Sequence, residues 1–305
     1  MTDPKPLPRS SGDLTADRRA DYAEMLFASA DHAAAAELML GALELAPHWV
    51  LGWFRLGEFH EAGGNAAAAV AAWRTALKLD PPDRAGARLK LELHGALPAS
   101  AAPPSAFVEA LFDEYAPTFD EALVGKLGYR VPELLEHAIE AGGRARFPRA
   151  LDLGCGTGLM GERLRPVVDH LAGIDISAAM LRRAEARKIY DRLDKADLQS
   201  LVLKPASLDL VVAADVFMYL GGLDGIVATV ARGLRSRGVF AFSVEAHDGA
   251  EAFLLRDSRR YAHSEVYVRA LLSANTLRLS ALERADIRMD RGAAIEGIIV
   301  TAVRP

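Results

Sequence analysis

The spacing of hydrophobic positions changes twice along the chain. Residues 16–97 are alanine-rich, with apolar residues at helical intervals and almost no β-branched runs, a pattern that predicts stacked helices. Shifting the chain by 34 positions superimposes Ala23 on Gly57, Ala35 on Ala69, Met39 on Trp73, Ala42 on Ala76 and Pro47 on Pro81. The region therefore holds an internal repeat, and residues 84–97 are expected to cap its second copy. Polar, proline-containing residues 1–15 predict a disordered arm, and the small, proline-rich stretch around 98–106 a linker. Helices broken at Pro117 and Pro132 are expected over 107–141. From Pro148 the rhythm becomes strand, loop, helix. Strands are expected at Ala150–Leu153, His170–Ile174, Arg192–Ala196, Ser207–Ala213 and Gly238–Val244. Helices are expected near Met160–Val167, Ala178–Lys188, Leu223–Leu234 and Glu265–Ala274. Such alternation predicts a parallel sheet with helices on both faces. After Thr276 two further strands joined at Arg291–Gly292 predict a terminal antiparallel hairpin.

Composition narrows the class without naming it. The chain is 51% hydrophobic and 25% charged with a net charge of −5, which fits a folded protein and supplies no global basic field for nucleic acid. The single cysteine, Cys155, excludes an internal disulfide. The first residues lack the apolar core of a signal peptide, and no run approaches a membrane span. A cytoplasmic protein that binds neither membrane nor nucleic acid is the expectation.

The stretch "LDLGCGTGLMG", Leu151 to Gly161, holds two overlapping signatures. Gly156, Gly158 and Gly161 give the G-x-G-x-x-G of a nicotinamide dinucleotide site. Asp152, Gly154, Gly156 and Gly158 give D-x-G-x-G-x-G instead. Either way, glycines at a strand-to-helix turn let backbone N–H groups approach a ligand. An acidic residue before the loop would repel a pyrophosphate but suits an ammonium or sulfonium group. Asp152 therefore favours S-adenosylmethionine. Asp175, at the end of the second strand, can accept hydrogen bonds from ribose hydroxyls. Asp197, after the third, is placed to accept one from an adenine amino group.

Two resemblances follow from these residues. Trp53, Leu56, Gly57, Ala69, Trp73, Ala76 and Pro81 resemble a tetratricopeptide repeat, with residues 16–97 as its domain. Asp152, the three glycines, Asp175, Asp197 and "LDLVVAADVFMYL" resemble a class I S-adenosylmethionine-dependent methyltransferase over residues 107–305. The stretch "LFDEYAPTFDEALVGKLGYRVPELL" is similar to methyltransferases that carry N-terminal tetratricopeptide repeats, a group close to the ubiquinone-biosynthesis type. The resemblance implies a Rossmann-like, seven-stranded sheet behind an all-α repeat domain.

It also implies site roles. Gly154, Cys155, Gly156 and Gly158 would wrap the methionine end, Cys155 as a packing residue, with Asp152 and Asp215 near the amino group. Asp175 would hold ribose, Ile176 would pack on adenine, and Asp197 with the backbone of Leu198 would meet the adenine edge. Tyr115, one turn from Phe119 on a lid helix, would touch the cofactor carboxylate. On the acceptor side His247, His263 and Tyr219 are the candidate catalytic groups, histidine being readily poised as a base near neutral pH. The acceptor is expected to be a small molecule. A protein or carrier-bound acceptor recruited by the repeats, self-association through them, or a non-catalytic scaffold are the alternatives.

Overall fold

The computed structural model describes residues 6–305, which divide into two compact units, one running to Ala110 and the other from Leu111 to Pro305. The first unit is built from α1 (Leu14–Ala28), α2 (His32–Leu45), α3 (Val50–Ala62), α4 (Ala66–Leu79) and α5 (Ala87–Leu93), with α1 packed on α2 and α3 on α4. Two of its helices are capped alike, 34 residues apart. The Asp31 side chain accepts the Ala34 N–H at 3.2 Å, and Asn65 accepts that of Ala68 at the same distance, each satisfying an orphan donor of the first helical turn. Buried Ala23, Ala35, Ala69 and Ala76 allow close helix approach. A Cβ at Gly57 would overlap the indole of Trp73, whose N–H donates to the Phe54 carbonyl at 3.1 Å. The Arg55 guanidinium lies 4.6 and 4.7 Å from the rings of Phe27 and Phe59 and pairs with Glu24 and Glu58. At the entrance to α1, Asp13 accepts the N–H groups of Thr15 and Ala16, so Leu14 and Thr15 of the expected arm are helical.

In the second unit the prolines act as expected. α6 (Ser105–Tyr115), whose residues from Leu111 on belong to this unit, gives way to a 3₁₀ turn at Ala116–Thr118 containing Pro117, a π-helical turn follows at Glu121–Lys126, and α7 (Val131–Ala141) carries Pro132 in its first turn. Next come β1 (Phe147–Leu153), α8 (Leu159–Leu164), β2 (Val168–Asp175), α9 (Ala178–Arg187), β3 (Arg192–Lys195) and β4 (Leu208–Ala213). α10 (Asp224–Gly233), β5 (Leu234–His247), β6 (Phe253–Leu255), β7 (Tyr261–Ser264), α11 (Glu265–Ala274), β8 (Arg278–Asp290) and β9 (Ala293–Val303) complete it.

Strands β3, β2, β1, β4 and β5 lie side by side in parallel, β9 runs antiparallel to β5, and β8 pairs with β9. The central strands read as apolar runs because both faces are covered: β4 is buried from Asp209 to Ala213. The hairpin turn is where expected, with φ of 47° at Arg291 and 82° at Gly292, the pair of positive values that suits strand twist.

The sheet has nine strands among the described residues, not seven. β6 and β7 form a small antiparallel pair, and β7 runs parallel to β5 at residues 245–247. Tyr261 and His263 therefore lie in a strand. β4 leaves β5 at the Ala213–Phe242 rung, and β7 begins at the Glu245–Ala262 rung. Between them the N–H of Asp215 turns to the Ser243 hydroxyl at 2.9 Å, a side-chain acceptor replacing the missing ladder carbonyl.

Candidate active site

The loop between β1 and α8 is shaped by three left-handed glycines, Gly154, Gly156 and Gly158, with φ of 63°, 54° and 100°, a conformation that costs glycine little. A Cβ at Gly154 would overlap Val216, so this backbone also needs the space. The Cys155 N–H donates to the Ile174 carbonyl at 2.9 Å and joins the loop to β2. Asp175, at the end of β2, finishes the tether. One oxygen accepts the Gly156 N–H at 2.9 Å and the other the Ser177 N–H at 2.8 Å. Burial pushes its carboxyl up to about 6 against these donors.

Asp152 is fully buried under the loop. Burial, with a smaller push from Asp175, raises its carboxyl to about 7, opposed by a hydrogen bond from the Tyr190 hydroxyl at 2.7 Å. The other oxygen, Oδ1, is buried and has no partner among the described residues, an arrangement that costs free energy unless a donor arrives. A pocket at the glycine loop is lined by Gly154, Cys155, Gly156, Thr157, Tyr129 and Phe119, among others, with Asp152 buried behind that lining. A glycine-walled opening, an unsatisfied buried carboxylate oxygen and a second carboxylate at the end of β2 fit the amino acid and ribose of S-adenosylmethionine. Asp175 retains acceptor capacity after its three backbone bonds, from Gly156, Ser177 and Ile176.

The segment after α6 is fastened to this loop. Asp120 accepts from the Thr157 hydroxyl at 2.5 Å and pairs with Arg187 at 2.6 Å. Asp113 accepts from the Ser177 hydroxyl at 2.6 Å and the Ala179 N–H at 3.1 Å. Arg183 donates to the Pro117 carbonyl at 2.7 Å. Phe119 meets Tyr115 edge-on, and Phe112 meets Tyr219 edge-on. The aromatics of the expected lid thus stand over the glycine loop and the chain after β4.

The ends of β5 and β8 and the chain after β4 hold a buried ion cluster. Arg288 of β8, with a 1% exposed side chain, donates to both oxygens of Asp215 at 2.7 and 2.8 Å and also to Glu245. Arg256 binds the second Glu245 oxygen at 3.3 Å, and Arg260 pairs with Asp290 at 2.9 Å. Asp215 holds a φ of 56°, uncommon for a residue with a side chain, and Arg288 and Ser243 fix it there. Burial raises the Glu245 carboxyl despite Arg288.

The expected site residues separate into groups. Gly154, Cys155 and Gly156 line the pocket, Gly158 closes the loop, and Asp152 and Asp175 support it. Ile176 is half-buried, and its N–H binds Asp175. Asp197 accepts the Gln199 N–H at 2.8 Å, and Leu198 is half-buried behind it. Tyr219 is buried beside Phe112. Neither histidine lines the pocket. His263 is wholly buried with Nε2 on the Gly221 carbonyl at 2.9 Å, and burial drops it to about 4. His247 accepts the Gly249 N–H on Nδ1 at 3.0 Å. Sequence reasoning misses Tyr190, Asp113, Asp120 and Arg288. Only Arg288 leaves a signal, a cation inside the strand "ADIRMD".

Residues 151–242 match the family of the methyltransferase domain. The malonyl-[acyl-carrier protein] O-methyltransferase of Enterobacter lignolyticus is 31% identical over 132 residues, 43% of this chain and 52% of that protein. The 18S rRNA (guanine-N(7))-methyltransferase RID2 of Arabidopsis thaliana is 38% identical over 100 residues, 32% of this chain and 33% of that protein. The chain thus spans between a third and about half the length of these relatives. Among solved structures the [4+2]-cyclase SpnF shares the fold, with a TM-score of 0.56 at 18% identity over 67% of this chain and 98% of its own. Within the second unit, residues 151–242 match a methyltransferase domain, and the relatives similar to it are named as methyltransferases. S-adenosylmethionine is the cofactor its site fits.

Proposed function

We propose that this chain transfers a methyl group from S-adenosylmethionine to a small-molecule acceptor. The observation that carries the proposal is the loop after β1, where a buried Asp152 oxygen without a partner lies beneath three left-handed glycines tied to Asp175. Asp152 holds the cofactor's ammonium, with ion-paired Asp215 nearby, and Asp175 holds the ribose hydroxyls. Ile176 packs on adenine, and Asp197 and the Leu198 backbone bind its edge. Tyr115 reaches the carboxylate. The cofactor supplies a methyl on positively charged sulfur, so the chain's own task is to align the acceptor and exclude water. Phe112, Tyr115, Phe119 and Tyr219 supply that dry wall. Tyr219 is better placed to meet an acceptor than His247 or His263, since burial holds His263 neutral on a main-chain carbonyl. Calorimetry with S-adenosylmethionine, its demethylated product and NAD tests the proposal: the first two bind and NAD does not. Binding of NAD alone overturns it.

Residues 16–97 are proposed as a tetratricopeptide-repeat domain, joined through 98–106 to the methyltransferase domain at 107–305. The 34-residue spacing of equivalent caps and the fit of Gly57 on Trp73 support this. A second proposal gives the repeats a carrier-bound or protein acceptor to recruit. It draws support from the relative whose name places its acceptor on an acyl-carrier protein.

A further inference from the structure

Tyr190 lies between α9 and β3, outside the motifs that mark the site, yet it is built into the site's foundation. Its hydroxyl donates to Asp152 Oδ2 at 2.7 Å and accepts the backbone N–H of Gly161. Two glycines make the slot it occupies. A Cβ at Gly161 would overlap the hydroxyl, and one at Gly173 would come within 2.9 Å of the ring. No other hydrogen bond from the described residues reaches the Asp152 carboxylate, and its second oxygen is buried without a partner. The titratable groups facing this carboxylate are Asp175 from β2, Cys155 from the loop, Tyr190, and Tyr129 from the approach to α7. None is a cation. One neutral donor therefore stands against burial and a neighbouring carboxylate in deciding whether Asp152 is charged.

We propose that Tyr190 is a positioning residue for cofactor capture, holding Asp152 in place and ionised so that its free oxygen can receive the ammonium of S-adenosylmethionine. The inference rests on the cofactor reading above. A charge-assisted hydrogen bond is among the stronger single interactions available to a buried carboxylate. Removing it lifts the Asp152 ionisation midpoint, while the phenyl ring of a Tyr190→Phe variant still fills the slot.

The test is calorimetric titration of the full chain with S-adenosylhomocysteine between pH 5.5 and 8.5, for the wild type, Tyr190→Phe, Gly161→Ala and Asp152→Asn. Ligand-free circular dichroism confirms that each variant is folded. Wild-type affinity falls as pH drops through the Asp152 midpoint, at up to about tenfold per pH unit. In Tyr190→Phe that fall begins about one pH unit higher, from the loss of one hydrogen bond to a charged group, and affinities converge toward pH 8.5. Gly161→Ala, which displaces the hydroxyl without removing it, moves the midpoint in the same direction. Asp152→Asn loses this component and keeps only that of Asp175. A purely structural Tyr190 would lower affinity equally at every pH, so an unmoved midpoint in Tyr190→Phe overturns the inference while leaving the cofactor reading intact. Failure of the wild type to bind at pH 8.5 overturns both.

Discussion

Asp175 shows how one side chain serves both the loop and its ligand. Its two oxygens hold the Gly156 and Ser177 N–H groups, so the carboxylate shapes the glycine loop before any ribose arrives. Asp175→Ala is expected to weaken S-adenosylmethionine binding by about 1–3 kcal/mol, measured by calorimetry. Asp152 carries a different cost. Its folded carboxyl sits at about 7 against 3.8 when free. A folded value above the unfolded one means that stability is present at low pH and lost as pH rises from about 4 through 7. Asp152→Asn cannot ionise. The ligand-free variant is therefore expected to match the wild type near pH 4 and exceed it at pH 8 by on the order of 2–4 kcal/mol in denaturant unfolding. Asp152, the glycines and Asp175 were legible in sequence because spacing within two short strand-to-helix turns fixes their geometry. Tyr190 was not, because its partner lies 38 residues away and only the glycine slot brings them together. Arg288 was not, because its partners Asp215 and Glu245 lie 73 and 43 residues distant.

At the scale of elements, the segment after α6 is fastened by polar contacts at its corners. Asp120 alone joins it to Thr157 in the glycine loop and to Arg187 on α9. Asp120→Ala is expected to speed amide exchange across residues 116–126 by about tenfold, the equivalent of roughly 1.4 kcal/mol of local opening, with little change in β1 or β4. Exchange in that segment identical to the wild type would show that the aromatics suffice to close it. Helices and the long strands were predictable from periodicity and proline placement, and the hairpin from its Arg291–Gly292 turn. The pair β6 and β7 was not, since these short strands carry no flanking alternation of strand and helix of the kind that marked β3. Their existence depends on β5 running on to His247.

Across the whole molecule the two units carry separate cores. The first is centred on Met39, Phe59 and Trp73, and the second lies on both faces of the sheet. All residues proposed to hold the cofactor belong to the second. Deleting residues 1–97 is expected to leave S-adenosylhomocysteine affinity within about threefold of the full chain, under roughly 0.7 kcal/mol. A loss of a hundredfold would make the first unit part of the cofactor site. The boundary itself was readable as a change of rhythm, from helical spacing to alternating strands and helices.

The handover along β5 has a consequence for how such a protein diversifies. β4 and β7 share one edge of that strand in succession, and Glu245 is paired on both edges, with Ala262 and with Gly297. Before that rung β5 pairs with β4, and from it onward with β7. Insertions between β5 and α11 can thus lengthen, shorten or exchange that later pairing, as grafts onto an existing strand, without disturbing the register of β1, β2 or β4. Changes in acceptor preference along a lineage should collect between residues 248 and 264, while the loop at 152–158 stays fixed.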